Sequence, residues 1–146
     1  MNGNAGVNRI EGLGGNDTIL AGAGSDVVLG GLGQDEITLG TGADRVAYAS
    51  STEGGDTVTD FNVAADTFQF AAAGFAGLVA GSSLGVTGQF VSNASGTADG
   101  AMAQVVYDND DGLLFWDADG TGSGSAVLIA TLSNLAGLTA ADFLIV

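Results

Sequence analysis

From Gly3 to Ala47 the chain repeats every nine residues, five times without a gap: GNAGVNRIE, GLGGNDTIL, AGAGSDVVL, GGLGQDEIT and LGTGADRVA. The fourth position is always glycine (Gly6, Gly15, Gly24, Gly33, Gly42). The sixth is a carboxamide or carboxylate (Asn8, Asp17, Asp26, Asp35, Asp44), and the eighth is β-branched (Ile10, Ile19, Val28, Ile37, Val46). Six glycine-rich residues permit positive φ and tight reversal, and the three that follow suit a short strand. Each unit is therefore one turn and one strand. A chain that reverses at every turn lies above itself after two units, so eighteen residues make one coil of a flattened helix. Side chains alternate along a strand, which turns position eight inward and positions seven and nine toward water. A flexible glycine-rich linker would lack this apolar period.

Coils stacked at the inter-strand spacing of roughly 4.8 Å bring turns two units apart into register. The spacing predicts Asn8, Asp26 and Asp44 on one edge and Asp17 and Asp35 on the other. Two ligands at that separation suit calcium–oxygen bonds of about 2.3–2.6 Å better than magnesium bonds of about 2.0–2.1 Å. About three interior Ca²⁺ sites are expected, at Asn8/Asp26, Asp26/Asp44 and Asp17/Asp35, with more possible at the roll ends. Backbone carbonyls at position two (Asn4, Leu13, Gly22, Gly31, Gly40) and position four (Gly6, Gly15, Gly24, Gly33, Gly42) would complete an all-oxygen shell.

These five units resemble the G-G-x-G-x-D-x-U-x nonapeptides of RTX proteins, the repeats of calcium-binding parallel β-helices. The resemblance implies a parallel, right-handed β-roll that is disordered without calcium and folds in a calcium-rich exterior. Asn8, where the pattern has aspartate, departs from it and puts the first edge site in doubt. Asp56–Phe70, DTVTDFNVAADTFQF, is similar to the segment that closes RTX rolls in serralysin-type proteases. Val58, Phe61, Phe68 and Phe70 are expected to cover the last inner residues of the roll. Asp56 and Asp60 stand near the last turns as candidate terminal ligands, and Glu53, nine residues after Asp44, as a candidate ligand below Asp35. Their plainer reading is turn acids and strand caps; Asp66 is read as a turn residue.

Beyond Ala71 the pattern changes to antiparallel strands. Ala103–Tyr107, Leu113–Trp116 and Ala126–Leu132 are apolar runs separated by DNDDG and DADGTGSGS, whose composition suits tight turns. The acids Asp108, Asp110, Asp111, Asp117 and Asp119 alternate as in calcium loops but lack the distal glutamate of an EF-hand, and are read as hairpin turns. Phe70–Gly81 is too short to span a membrane and suits a helical turn beneath the sheet. Ser92–Gly100 is expected to be a mobile surface loop. The organisation expected is a roll over residues 3–55, a capping segment over 56–70 and an antiparallel region over 71–146. The fold class is all-β, a parallel roll capped by a sandwich-like antiparallel region.

The run from Tyr107 onward resembles the C-terminal region of RTX exports. Thr139 and Asp142 are placed to cap a helical turn, after which Phe143, Leu144, Ile145 and Val146 form an apolar end. That ending resembles the uncleaved signal read by type I exporters, which implies an ABC transporter complex as partner. Its alternative is a last strand completing the sheet. No leader peptide precedes the first repeat, so the chain is expected to be a C-terminal piece with a passenger domain upstream.

Charge sharpens this reading. Seventeen acids face two cations, Arg9 and Arg45, for a net charge of −15, which opposes collapse of the free chain. Nucleic-acid binding and stable membrane insertion are not expected. With no histidine, cysteine or lysine, the chain lacks the parts of a Ser-His-Asp triad, a thiol nucleophile, a P-loop or an ordinary zinc site. Paired carboxylates remain, but they lie in periodic turns, and no catalytic role is assigned. A calcium-dependent surface-layer or adhesin module, with contacts between copies, is one rival reading. A carbohydrate-associated accessory module, such as those of alginate epimerases, is another.

Overall fold

The computed structural model describes residues 1–146 as twelve short strands in two sheets, joined by turns and a single α-helical turn at Leu84–Thr87. The nonapeptides supply β1 (Arg9–Glu11), β2 (Thr18–Ala23), β3 (Val27–Leu29), β4 (Glu36–Thr41) and β5 (Arg45–Tyr48). Odd strands enter one sheet and even strands the other, as a reversal at every turn requires. The pairs Arg9↔Val27, Thr18↔Glu36 and Val27↔Arg45 are parallel and 18 residues apart, the coil length set by two repeats. Position eight points inward: Ile19, Val28, Ile37 and Val46 are fully buried, and Ile10 on the edge strand is half-buried.

The strands β6 (Asp56–Val58) and β7 (Thr67–Phe70) form one further coil. Their registers, Glu36↔Thr57 and Arg45↔Thr67, lengthen the repeat to 21 and 22 residues. Val58, Phe61, Phe68 and Phe70 are buried over the nonapeptide coils, but this segment is itself covered from the far side. Covering it are β11 (Val127–Leu132) and β12 (Phe143–Ile145), which pair in parallel with β6 and β7, Ala130 opposite Asp56 and Phe143 opposite Phe68. The chain thus re-enters the roll 74 to 75 residues later.

Between these lie β8 (Phe90–Asn93), β9 (Gln104–Asp108) and β10 (Leu113–Asp117), which extend the sheet beyond β11. The β9–β10–β11 meander is antiparallel, as the turn sequences suggest, while β8 pairs with β9 in parallel. That strand overturns part of the loop expected at Ser92–Gly100, because Ser92 and Asn93 find ladder partners in Tyr107 and Asp108. A 3-10 turn occupies Ala72–Gly74 and places Phe75 under the sheet.

One cluster of 25 buried residues runs from Ile19 to Ile145 through both sheets. Its aromatic part begins at Tyr48. Phe61 stacks on Phe68 at 4.6 Å, Phe70 on Phe75 at 4.5 Å, and Phe75 meets the edge of Trp116 at 5.6 Å. Such pairs add about 0.5–1.5 kcal/mol each beyond area burial. Trp116 packs inward and Phe115 is half-buried. No helix is long and apolar enough to cross a membrane.

Candidate metal centre

Each corner of the roll ends on an acid, or on Asn8 in the first, just ahead of a strand, and the 18-residue register stacks these residues into two columns. On the first edge, the backbone N–H of Asn8 donates to Asp26 Oδ1 at 2.7 Å and that of Asp26 to Asp44 Oδ1 at 2.7 Å. On the second, Asp17 N–H donates to Asp35 Oδ1 at 2.8 Å. The three pairs predicted from the spacing are therefore brought together. Asn8 closes its own corner by accepting the N–H of Asn4 at 2.8 Å.

Both columns continue one step beyond the repeats. Asp44 N–H donates to Asp66 Oδ1, and Asp35 N–H to Asp56 Oδ1, each at 3.0 Å. Asp66, read from sequence as a turn residue, is a buried rung of the first column. A local signal was present, since Asp66-Thr67-Phe68 and Asp56-Thr57-Val58 repeat the D-x-hydrophobic pattern of Asp44-Arg45-Val46. The longer coils hid it from a fixed period of nine.

The two classes of rung differ in their second oxygen. In Asp56, Oδ2 accepts the Tyr48 hydroxyl at 2.9 Å; in Asp66, Oδ2 accepts the Asn62 N–H at 2.9 Å. Asp60 spends both oxygens on the N–H groups of Leu39 and Gly40, each at 2.8 Å. By contrast, Oδ2 of Asp17, Asp26, Asp35 and Asp44 is buried and has no hydrogen-bond partner. An orphaned buried carboxylate oxygen costs more than a neutral one, and a cation is the partner that satisfies it. The sole ion pair, Arg9–Glu11, lies exposed on β1.

Carbonyls line the same columns. A Cβ built on Gly24 would meet Gly6 O at 2.7 Å, and one on Gly22 would meet Asn4 O at 2.5 Å. In the same way Gly31 faces the Leu13 carbonyl, Gly33 that of Gly15, Gly40 that of Gly22, and Gly42 that of Gly24. Carbonyls of positions two and four thus point along the stack toward the next coil. After the first unit, position two takes the left-handed region: Gly22, Gly31 and Gly40 have φ of 110°, 95° and 90°, and Leu13 is held at 70°. Glu53 does not take the place below Asp35 expected from the sequence, because Asp56 accepts the Asp35 N–H there. Its Oε2 accepts Ala49 N–H at 2.7 Å, and its side chain lines a cleft with Leu13 and Gly31 beside the second column.

Nowhere do three acidic side chains converge. The donors are instead paired carboxylates and ordered carbonyls, all oxygen, which fits a hard cation such as Ca²⁺. Without one, the columns carry their own strain. Burial pushes the Asp44 carboxyl above its ordinary value, and the charges of Asp66, Asp26 and Asp60 push it further. Burial likewise raises Asp66, and raises Asp56 from 3.8 to about 6 despite its bonds from Asp35 N–H and Tyr48.

Residues 2–37 match the family model described as the RTX calcium-binding nonapeptide repeat, in four copies. This part of the chain carries RTX calcium-binding nonapeptide repeats. The matched residues hold the first two rungs of each column, and the structure extends both columns past them to Asp44, Asp56 and Asp66. Among solved structures, one match is the solution structure of the AlgE6R3 subunit from the Azotobacter vinelandii mannuronan C5-epimerase. It is 21% identical, with 96% of this chain and 79% of that chain covered and a TM-score of 0.47. No curated protein matches the chain.

At the other end of the chain, Thr139 and Asp142 form a reciprocal capping box around a 3-10 turn at Ala140–Asp142. Phe143 and Ile145 then enter the core, while Leu144 and Val146 are exposed. The apolar tail is thus the last strand of the folded sheet.

Proposed function

We propose that this chain is a calcium-triggered folding and type I secretion module at the C-terminal end of a larger exported protein. The observation that carries the reading is the set of four buried carboxylate oxygens, on Asp17, Asp26, Asp35 and Asp44, left without any protein partner. Seventeen acids and two arginines keep the free chain extended, and calcium supplies the missing positive charge. Extracellular calcium modules bind with Kd of about 10⁻⁴–10⁻³ M, far above cytosolic free calcium. Each site filled only in the native state adds about 1.4 kcal/mol at ten times Kd, so coupled sites act as a switch. Ions bridge Asn8/Asp26, Asp26/Asp44 and Asp17/Asp35, and Glu53 stands beside the second column as a further donor.

The tail fits a signal read before folding. Phe143 and Ile145 are unburied in the unfolded chain and become inaccessible once β12 forms, so recognition by an ABC exporter precedes calcium binding outside. Far-UV circular dichroism against calcium concentration tests the first half: a cooperative gain of β signal is expected, and an unchanged fold after exhaustive chelation would end the reading. Export of a fused passenger tests the second. Deleting Phe143–Val146 should abolish export. Charged substitutions at the exposed Leu144 and Val146 should weaken it while calcium-induced folding persists, and normal export by both variants would remove the signal role.

A further inference from the structure

Outside the roll, one carboxylate shares the property that marks the columns. Asp108, the last residue of β9, is buried to 8% exposure, and its Oδ1 is enclosed with no hydrogen-bond partner. The four comparable aspartates all lie in RTX corners; Asp108 belongs to a different part of the sheet. A second acid is near. Asp110 follows two residues later in the same turn, with Asp111 beside it, so the turn from β9 into β10 gathers three carboxylates.

The backbone is shaped to hold this pair. Gly112 N–H donates to Asp108 O at 2.9 Å and closes the turn into β10. Across β8, Asn93 lies opposite Asp108 and ties down Ser95 and Thr97 through its side-chain amide. That places Gly96, at φ +58°, flat against the carboxylate: a Cβ there would lie 2.8 Å from Asp108 Oδ2. No cationic side chain is at hand, because Arg9 and Arg45 are on β1 and β5 of the other sheet. The neighbouring turn makes the contrast. Asp117 Oδ1 accepts Asp119 N–H at 3.2 Å and Asp119 Oδ2 accepts Gly124 N–H at 2.9 Å, so that acidic run is engaged by its own backbone.

We propose that the β9–β10 turn is a separate divalent-cation site, in which the carboxylates of Asp108 and Asp110 clamp one ion against the Gly96 loop. The donors are hard oxygens and the rest of the shell is backbone and water, which selects Ca²⁺ over transition metals. The site lies outside the nonapeptide columns, so its occupancy is distinct from roll filling. It would pin the edge strand β8 and its following loop to the meander, where the sheet has no nonapeptide coil behind it.

Native mass spectrometry of the full chain in saturating calcium counts the ions. Asp110→Asn, an exposed change, and Asp108→Asn are each expected to carry one ion fewer than the parent, with the calcium-induced dichroism of the roll retained. If Asp108→Asn does not fold, Asp110→Asn alone decides. Manganese at substoichiometric levels should broaden the amide signals of Gly96 and Asn109, and Asp110→Asn should abolish that broadening. Equal ion counts in the parent and Asp110→Asn overturn the proposal. So do Gly96 signals that respond to acid but not to calcium or manganese, which would mean the two carboxyls share a proton.

Discussion

Ile37 on β4 and Phe70 on β7 are both fully buried in the same core, yet the coils they belong to are held by different means. Up to Ala47, each strand offers the interior one or two aliphatic residues, and each corner after the first offers an acid with an orphaned oxygen. From Tyr48 onward the core is aromatic, with Phe61, Phe68, Phe70, Phe75, Trp116 and Phe143 in mutual contact. The corners Asp56 and Asp66 there have both oxygens satisfied by protein. The difference teaches that one continuous pair of sheets contains an end whose corners leave carboxylate oxygens for a cation and an end held by hydrophobic burial. The change occurs within a single coil.

The sharpest way to break this contrast is to remove an aromatic. Phe70→Ala should cost about 3–5 kcal/mol in urea unfolding, by a similar amount at high and at limiting calcium. A loss seen only in calcium would mean that the aromatic end has no stability of its own. Next comes pH. In metal-free protein the folded state holds the Asp56 proton up to about 6, against 3.8 for an ordinary carboxyl, so it binds more protons than the unfolded chain between those values. Stability is therefore greatest at the acid end of that window and falls as pH rises through it, by an amount on the order of 2–3 kcal/mol. Asp56→Asn should flatten the dependence. Bound calcium should reverse it, because acid then displaces the ion; the same slope with and without calcium would count against metal at the columns.

Within the columns the effects should be graded. Asp26 bonds to both Asn8 and Asp44, whereas Asp17 bonds only toward Asp35. At ten times Kd, Asp26→Ala should forfeit about 2.8 kcal/mol of calcium-linked stability and Asp17→Ala about 1.4. Equal shifts in the calcium midpoint would contradict the stacking. The smallest effect is expected at Leu13, exposed and held at φ 70° where the next three units have glycine. Leu13→Gly should stabilise by under about 1 kcal/mol, relief of the left-handed strain being partly offset by a freer unfolded chain. A rise in calcium-saturated urea midpoint checks it.

Much of the roll was legible because its order is short-range. Glycine at position four, an acid at six and a β-branched residue at eight fix turn, corner and inward strand within nine residues, and stacking follows from strand spacing. The same logic paired Asp26 with Asp44 and Asp17 with Asp35. It lost Asp66 and the place of Asp56, because insertions of three and four residues moved them off the period while the hydrogen bonds kept them in the column.

The sequence by itself determined the coil length, the inward column and the all-oxygen character of the corners, since each rests on local backbone preference and side-chain alternation. Tertiary structure alone decided how the strands beyond Phe70 join the roll. That β11 and β12 return to cover β6 and β7, that β8 runs parallel to β9, and that Asp108 is shut in against Gly96 all depend on contacts across tens of residues. No local pattern encodes such pairings, because many registers satisfy the same apolar runs and only the packing of the shared core selects one.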